Sequence, residues 1–215
     1  MTANLAVVIA VQDAGRAKSR LGPDLDPGTR RTLVIAMLDD LLTAVREVWS
    51  GRVVVVSTDP VYDAVAVDHG AETLRDAGIG YNEAVHLGVA HVQRAEAVLV
   101  MPGDLPHATP SEIATLLHAL DEPGVTIVPA RDGGTIALGL RPTGAIAPAF
   151  GPDSTARHRE AAERAGVPWR LMSPGDLDTD VDTLDDLTEV WDRVGEATTA
   201  LLEHLPLPAR GTPRD

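Results

Sequence analysis

The chain has 215 residues and a formal net charge of −14, with 44% hydrophobic residues, 3% aromatic ones and no cysteine. That length supports one sizeable core, which must be aliphatic. The acidic balance argues against nucleic-acid and anionic-membrane partners, and the lack of cysteine excludes disulfides, thiolate metal centres and cysteine nucleophiles.

In chain order, "LAVVIAV" (5–11) is a continuous apolar run, the signature of a strand buried on both faces. "MTANLAVVIAV" lacks the basic segment of a signal peptide, and no apolar run reaches membrane-spanning length, so a cytoplasmic location is expected. After a polar loop, Asp26 and Pro27 read as N-cap and first position of a long helix, whose Leu33, Met37, Leu38, Leu41, Leu42, Val45 and Val48 form one apolar stripe. Gly51 stops it, and "RVVVVS" (52–57) is the second strand. The alternation continues with a short helix (60–68), a weak strand (71–75), a helix (82–94), the strand 97–102 and a helix (109–120). Two strands near 125–130 and 135–140 precede a helix (154–165), a strand (168–172) and a last helix (183–203). The tail, 204–215, is expected to be disordered. This pattern predicts a single α/β domain over residues 1–203: three Rossmann-like layers, helices on both faces of a mostly parallel mixed sheet.

Ligands of such folds bind beyond the carboxyl ends of the strands, so the loops there are the place for chemistry. Asp104 in "VLVMPGDLPHATP" ends a buried strand, where a carboxylate either makes a Gly-Asp turn or holds a divalent cation that bridges phosphates. "LDTDVDTLDDL" offers Asp178, Asp180 and Asp182 on one face of an extended segment. Asp182, with Asp185 three residues on, suits an N-cap, and Asp178 suits the surface, which leaves Asp180 as the candidate metal ligand and Asp182 second. "FGPDSTARHR" (150–159) makes a turn at Gly151, then a helix start where Ser154, Arg157 and Arg159 can serve an anion or merely a capped surface helix. Thr135, after two glycines, brings a hydroxyl, and Asn82 at a helix start reads either as a cap or as a contact to base or ribose. Lys18 is the only lysine beside seventeen arginines. It lies in the loop after the first strand, between Arg16 and Arg20, where a compact charge on a flexible stem can follow phosphates. There is no GxxxxGK[ST] loop and no histidine pattern for zinc.

Taken in order, "IAVQDAGRAKSRLGPDLDPGTRRTLVIAMLDDLLTAV", "MPGDLP", "FGPDSTARH" and "DTDVDTLDDL" resemble the guanylyltransferases that begin biosynthesis of the deazaflavin coenzyme F-420. The resemblance covers residues 5–190; its first stretch and FGPDSTARH are specific, whereas GDLP alone is not. It implies a nucleotide-diphospho-sugar-transferase-like fold and transfer of GMP from GTP to phosphoenolpyruvate, with 2-phospho-L-lactate or 3-phosphoglycerate as alternative acceptors. The arginine- and alanine-rich composition favours phosphoenolpyruvate, the acceptor of actinobacterial-type members. By motif position it implies Mg²⁺, as two ions, on Asp104 and Asp180. It also implies phosphoenolpyruvate on Thr135, Gly151 and Ser154, and GTP along the loop of Lys18 and Arg20, with Asn82 as a further nucleotide contact. Gln12 stands where members commonly carry lysine, which keeps a non-catalytic GTP-binding relative in view. The attacking group is an ionised phosphate oxygen, so charge neutralisation and positioning are needed rather than a general base. Whether the chain forms a homodimer is left open by the sequence.

Overall fold

The computed structural model describes residues 4–11, 21 and 25–205. Gln12, Arg16, Lys18 and Arg20 lie outside them, as does the tail from residue 206.

Strands β1 (Leu5–Val11), β2 (Arg52–Ser57), β3 (Glu72–Arg75), β4 (Ala97–Pro102), β5 (Gly124–Pro129), β6 (Thr135–Arg141) and β7 (Trp169–Leu171) form one seven-stranded sheet in the order β3-β2-β1-β4-β6-β5-β7. β1 pairs in parallel with β2 and β4, and β2 with β3. β6 runs antiparallel to both β4 and β5, and β5 is parallel to β7. The reversal of β6 is what the two successive strands in the sequence call for. It places Thr135, the first residue of β6, at the edge where β4 and β5 end.

Strand alternation divides the core between two layers. Leu5, Val7, Ile9 and Val11 of β1 face helices α1 (Pro27–Val48), α2 (Val61–Asp68), α4 (Pro110–Ala119), α6 (Leu184–Val190) and α7 (Glu196–Leu202). Ala6, Val8 and Ala10 face α3 (Tyr81–His91) and α5 (Ser154–Ala165). Small residues on the second face let α3 approach closely: a Cβ on Gly88 would lie 2.5 Å from a methyl of Val8. The long helix starts as expected, with the Asp26 carboxylate accepting from the amides of Gly28 (2.9 Å) and Thr29 (3.2 Å). Among the described residues no helix is long and apolar enough to cross a membrane.

The last helix differs from expectation. Instead of one helix over 183–203 there are α6, a 3₁₀ turn (Trp191–Arg193) and α7, which starts after Gly195. The break is stabilised from α1: the buried Asp40 carboxylate accepts from the backbone amides of Ala197 (2.9 Å) and Thr198 (3.0 Å). Burial pushes the Asp40 carboxyl pKa up, while the bonds from Thr198 and Ala197 oppose that shift. Gly195 admits this contact, since a Cβ there would come within 2.4 Å of the carboxylate. Removing the cap leaves one buried and one half-buried amide unpaired, so Asp40→Ala should lower unfolding stability by about 1–3 kcal/mol. Urea denaturation checks this; a loss below about 0.5 kcal/mol, within the range of ordinary surface substitutions, would mean that Asp40 does not hold α7.

Candidate active site

A cavity of about 520 Å³ opens at the carboxyl edge of the sheet. Its walls come from the ends of β1 and β4, the start of β6, the start of α3, the turn before α5 and the segment leading to α6. Of the expected site residues, Asp104, Asp180, Thr135, Gly151 and Asn82 line it together. Val11 lines it too; Lys18 and Arg20, which follow it in sequence, lie outside the described residues.

Asp104 follows β4 through Gly103, whose amide donates to the Ala10 carbonyl (3.0 Å) and where a Cβ would press within 2.8 Å of a Val11 methyl. The segment bearing Asp180 is brought to it by contacts of its own. The Val181 amide donates to the Asp104 carbonyl (3.4 Å), and the Asp176 amide to Glu112 Oε1 (3.0 Å). Glu112 is also the capping-box residue of α4, so one carboxylate ties that helix to the turn before the acidic segment. Arg131 holds Asp178 through side chain (2.8 Å) and backbone (3.1 Å), which removes Asp178 from the site, as its surface reading anticipates.

Asp182 requires a correction. The cap of α6 lies one residue later, where Thr183 and Asp186 form a reciprocal capping box, and Asp182 lines the cavity. Asp104, Asp180 and Asp182 each present a carboxylate oxygen within 4.8 Å of the others. Oxygens around one six-coordinate Mg²⁺ sit up to about 4.2 Å apart, so this spacing suits hard divalent cations. Tyr81, at the cavity wall, was not singled out by the sequence. Its hydroxyl is buried with no hydrogen-bond partner among the described residues, and burial, then the charges of Asp104 and Asp180, push its pKa well above the ordinary value. The phenol therefore keeps its proton beside the carboxylates.

The 149–158 region is built differently from a free helix N-terminus. Asp153 takes the N-cap position with a left-handed backbone (φ 56°) and makes no side-chain cap. The amides of Ser154 and Thr155 donate to the carbonyls of Gly151 (3.1 Å) and Gly133 (3.3 Å). Ser154 is fully buried, and its hydroxyl donates to Thr135 Oγ1 (2.8 Å) behind the cavity wall. Arg157 folds back on the carbonyls of Ala149, Phe150 and Pro152, and Arg159 pairs with Glu163 on the surface; neither is a wall of the cavity. Asn82 does not cap α3. Its side chain brackets Phe150, accepting from the Phe150 amide (2.8 Å) and donating to the Phe150 carbonyl (3.1 Å), which fixes the turn ahead of Gly151. Arg31, on the first turns of α1, pairs with Asp59 (2.8 Å).

The fold has counterparts among known proteins. A Desulfovibrio desulfuricans G20 structure assigned to the nucleotide-diphospho-sugar transferases superposes with a TM-score of 0.74 at 19% identity, covering 94% of this chain and 95% of that one. A Mycobacterium tuberculosis H37Rv structure in complex with manganese superposes with a TM-score of 0.60 at 16% identity, covering 89% of this chain and all of that one. At these identities the likeness concerns the fold, which is nucleotide-diphospho-sugar-transferase-like. The phosphoenolpyruvate guanylyltransferase of Sphaerobacter thermophilus is 43% identical over 189 residues, covering 85% of this chain and 90% of that protein. The family model for CofC-like guanylyl transferases matches residues 5–205. With a match over nearly the whole chain and an acidic cavity at the sheet edge, this protein belongs to the CofC-like guanylyl transferase family.

Proposed function

We propose that the chain transfers GMP from GTP to phosphoenolpyruvate. The observation that carries the reading is the meeting of Asp104, Asp180 and Asp182 in one cavity whose wall also holds Thr135 and Gly151. A phosphate oxygen of the acceptor attacks the α-phosphorus of GTP. The new P–O bond forms as the bond to the bridging oxygen between α- and β-phosphorus breaks, and pyrophosphate leaves with that electron pair. The product is enolpyruvyl-2-diphospho-5′-guanosine. No proton has to be removed from the attacking oxygen, which agrees with a cavity whose described ionisable walls are carboxylates and one protonated phenol.

The donor set fits a hard divalent cation: three carboxylates, all oxygen, with no soft ligand beside them. Asp104 and Asp180 would hold Mg²⁺, with Asp182 as the third ligand. Bound there, the metal, as two ions on this reading, neutralises phosphate charge and polarises the reacting phosphoryl group. Thr135 and Gly151 hold the acceptor from the wall, and Ser154 acts from behind through its bond to Thr135. Asn82 holds the Phe150–Gly151 turn and keeps one amide N–H for the nucleotide. Lys18 and Arg20 take the triphosphate and stabilise the departing pyrophosphate.

With GTP and Mg²⁺, pyrophosphate release should be fastest with phosphoenolpyruvate, and slower with 2-phospho-L-lactate and 3-phosphoglycerate. Faster release with either of the other two reassigns the acceptor; GTP binding without release for any of them makes the chain a non-catalytic relative. Asp104→Asn and Asp180→Asn should each lower turnover by roughly 100-fold or more while the circular dichroism spectrum is unchanged, because each removes one charge from the metal-holding set. Near-normal turnover in either variant would remove that residue from the set.

A further inference from the structure

His158 lies on α5 one turn after Ser154, and with Ala162 these make the buried face of the helix. Its ring is fully buried and meets Phe150 edge-on at 5.3 Å. Nε2 lies 2.8 Å from the backbone nitrogen of Ala149, and Nδ1 lies 3.1 Å from Thr135 Oγ1. A backbone N–H can only donate, so Nε2 must be the bare, accepting nitrogen and the ring proton must sit on Nδ1. An imidazolium would set two donors against each other at Ala149. Burial, then the charge of Arg157, lower the His158 pKa to about 4, which keeps the ring neutral across the physiological range.

The consequence falls on Thr135. Its hydroxyl oxygen accepts from His158 Nδ1–H and from the Ser154 hydroxyl (2.8 Å), which occupies both lone pairs. The Thr135 hydroxyl then has only its own proton to give. Among the described residues the available acceptor is Thr155 Oγ1 at 3.5 Å, a length at the limit of hydrogen bonding. Thr155 gives its own proton to the Gly134 carbonyl. Thr135 lines the cavity, so an anionic oxygen there is a stronger acceptor than the distant threonine. The same imidazole also fixes the Ala149 peptide, two residues before Gly151.

We propose that His158 is a positioning residue: as a neutral Nδ1–H imidazole it fixes the Thr135 hydroxyl as a proton donor to the anionic acceptor, and one ring thereby sets both walls of the acceptor subsite. This inference rests on the acceptor-site reading of Thr135 and Gly151 given above.

The test is steady-state pyrophosphate release by the full chain, with GTP and the acceptor varied in turn. His158→Phe keeps the ring shape and loses both bonds. Its KM for phosphoenolpyruvate should rise roughly tenfold, the cost of one charge-assisted hydrogen bond, with the KM for GTP within about twofold. His158→Asn places an amide N–H near the Nδ1 position and should recover part of that loss. Thr135→Val should raise the acceptor KM comparably, and the double variant should be no worse than the poorer single one. An unchanged acceptor KM in His158→Phe, an equal rise in both KM values, or additive losses would overturn the inference. Long-range proton–nitrogen correlation spectra of the wild-type protein, compared with His158→Asn to identify the resonance, give an answer independent of turnover. The Nδ1–H tautomer is expected, and an Nε2–H or imidazolium signature overturns the proposal. Failure of the underlying reading looks different: wild-type protein that releases no pyrophosphate with phosphoenolpyruvate, 2-phospho-L-lactate or 3-phosphoglycerate removes the acceptor subsite itself, and this role with it.

Discussion

Three carboxylates that present oxygens within 4.8 Å of one another repel, by about 3 kcal/mol for each ionised pair at an effective dielectric constant of about 20. The rest of the site exists to impose that crowding. Asp104 is fixed because its strand is central and Gly103 lets the turn pass close over Val11. The opposing segment is pinned from three directions: by Glu112 to Asp176, by Arg131 to Asp178, and by the Asp104 carbonyl to the Val181 amide. These contacts are all away from the carboxylate oxygens that face the cavity. A divalent ion held between the carboxylates would offset that repulsion.

The second half of the cavity follows a different rule. There Thr135 and Gly151 are set by hydrogen bonds made behind the wall, in buried or half-buried positions. Ser154, His158 and Asn82 each bond to a neighbour in the wall, and the wall in turn presents Thr135 and Gly151 to the cavity. On the proposed function, an acidic cluster that would hold a metal lies beside an oriented pocket for a small anion, as a reaction between two anions requires. Where both partners carry like charge, one must be neutralised and the other positioned.

Much of this was legible in the sequence, for identifiable reasons. The buried parallel strands are unbroken runs of Val, Ile, Leu and Ala, and the Asp26–Pro27 helix start is local chemistry, so both could be read without tertiary information. The convergence of Asp104 and Asp180 followed from placing them at the same strand edge. What escaped depended on partners far away in sequence. The division of the last helix at Gly195 needs Asp40, 157 residues from Ala197. The inward turn of Asp182 needed Thr183, rather than Asp182, to cap α6. Ser154 reads as a helix-start hydroxyl available to an anion, yet it is buried behind Thr135; the available sign was its spacing of four from His158, which puts two polar residues on one buried helical face.

The account stands or falls on whether the three aspartates hold a divalent cation. Electron paramagnetic resonance of Mn²⁺ measures this directly, because protein binding removes the sharp signal of the free aquo ion. Titrating wild-type protein should deplete that signal in a saturable way, and Asp180→Asn should shift the titration to markedly higher protein concentration. Superimposable titrations of the two proteins would contradict the account.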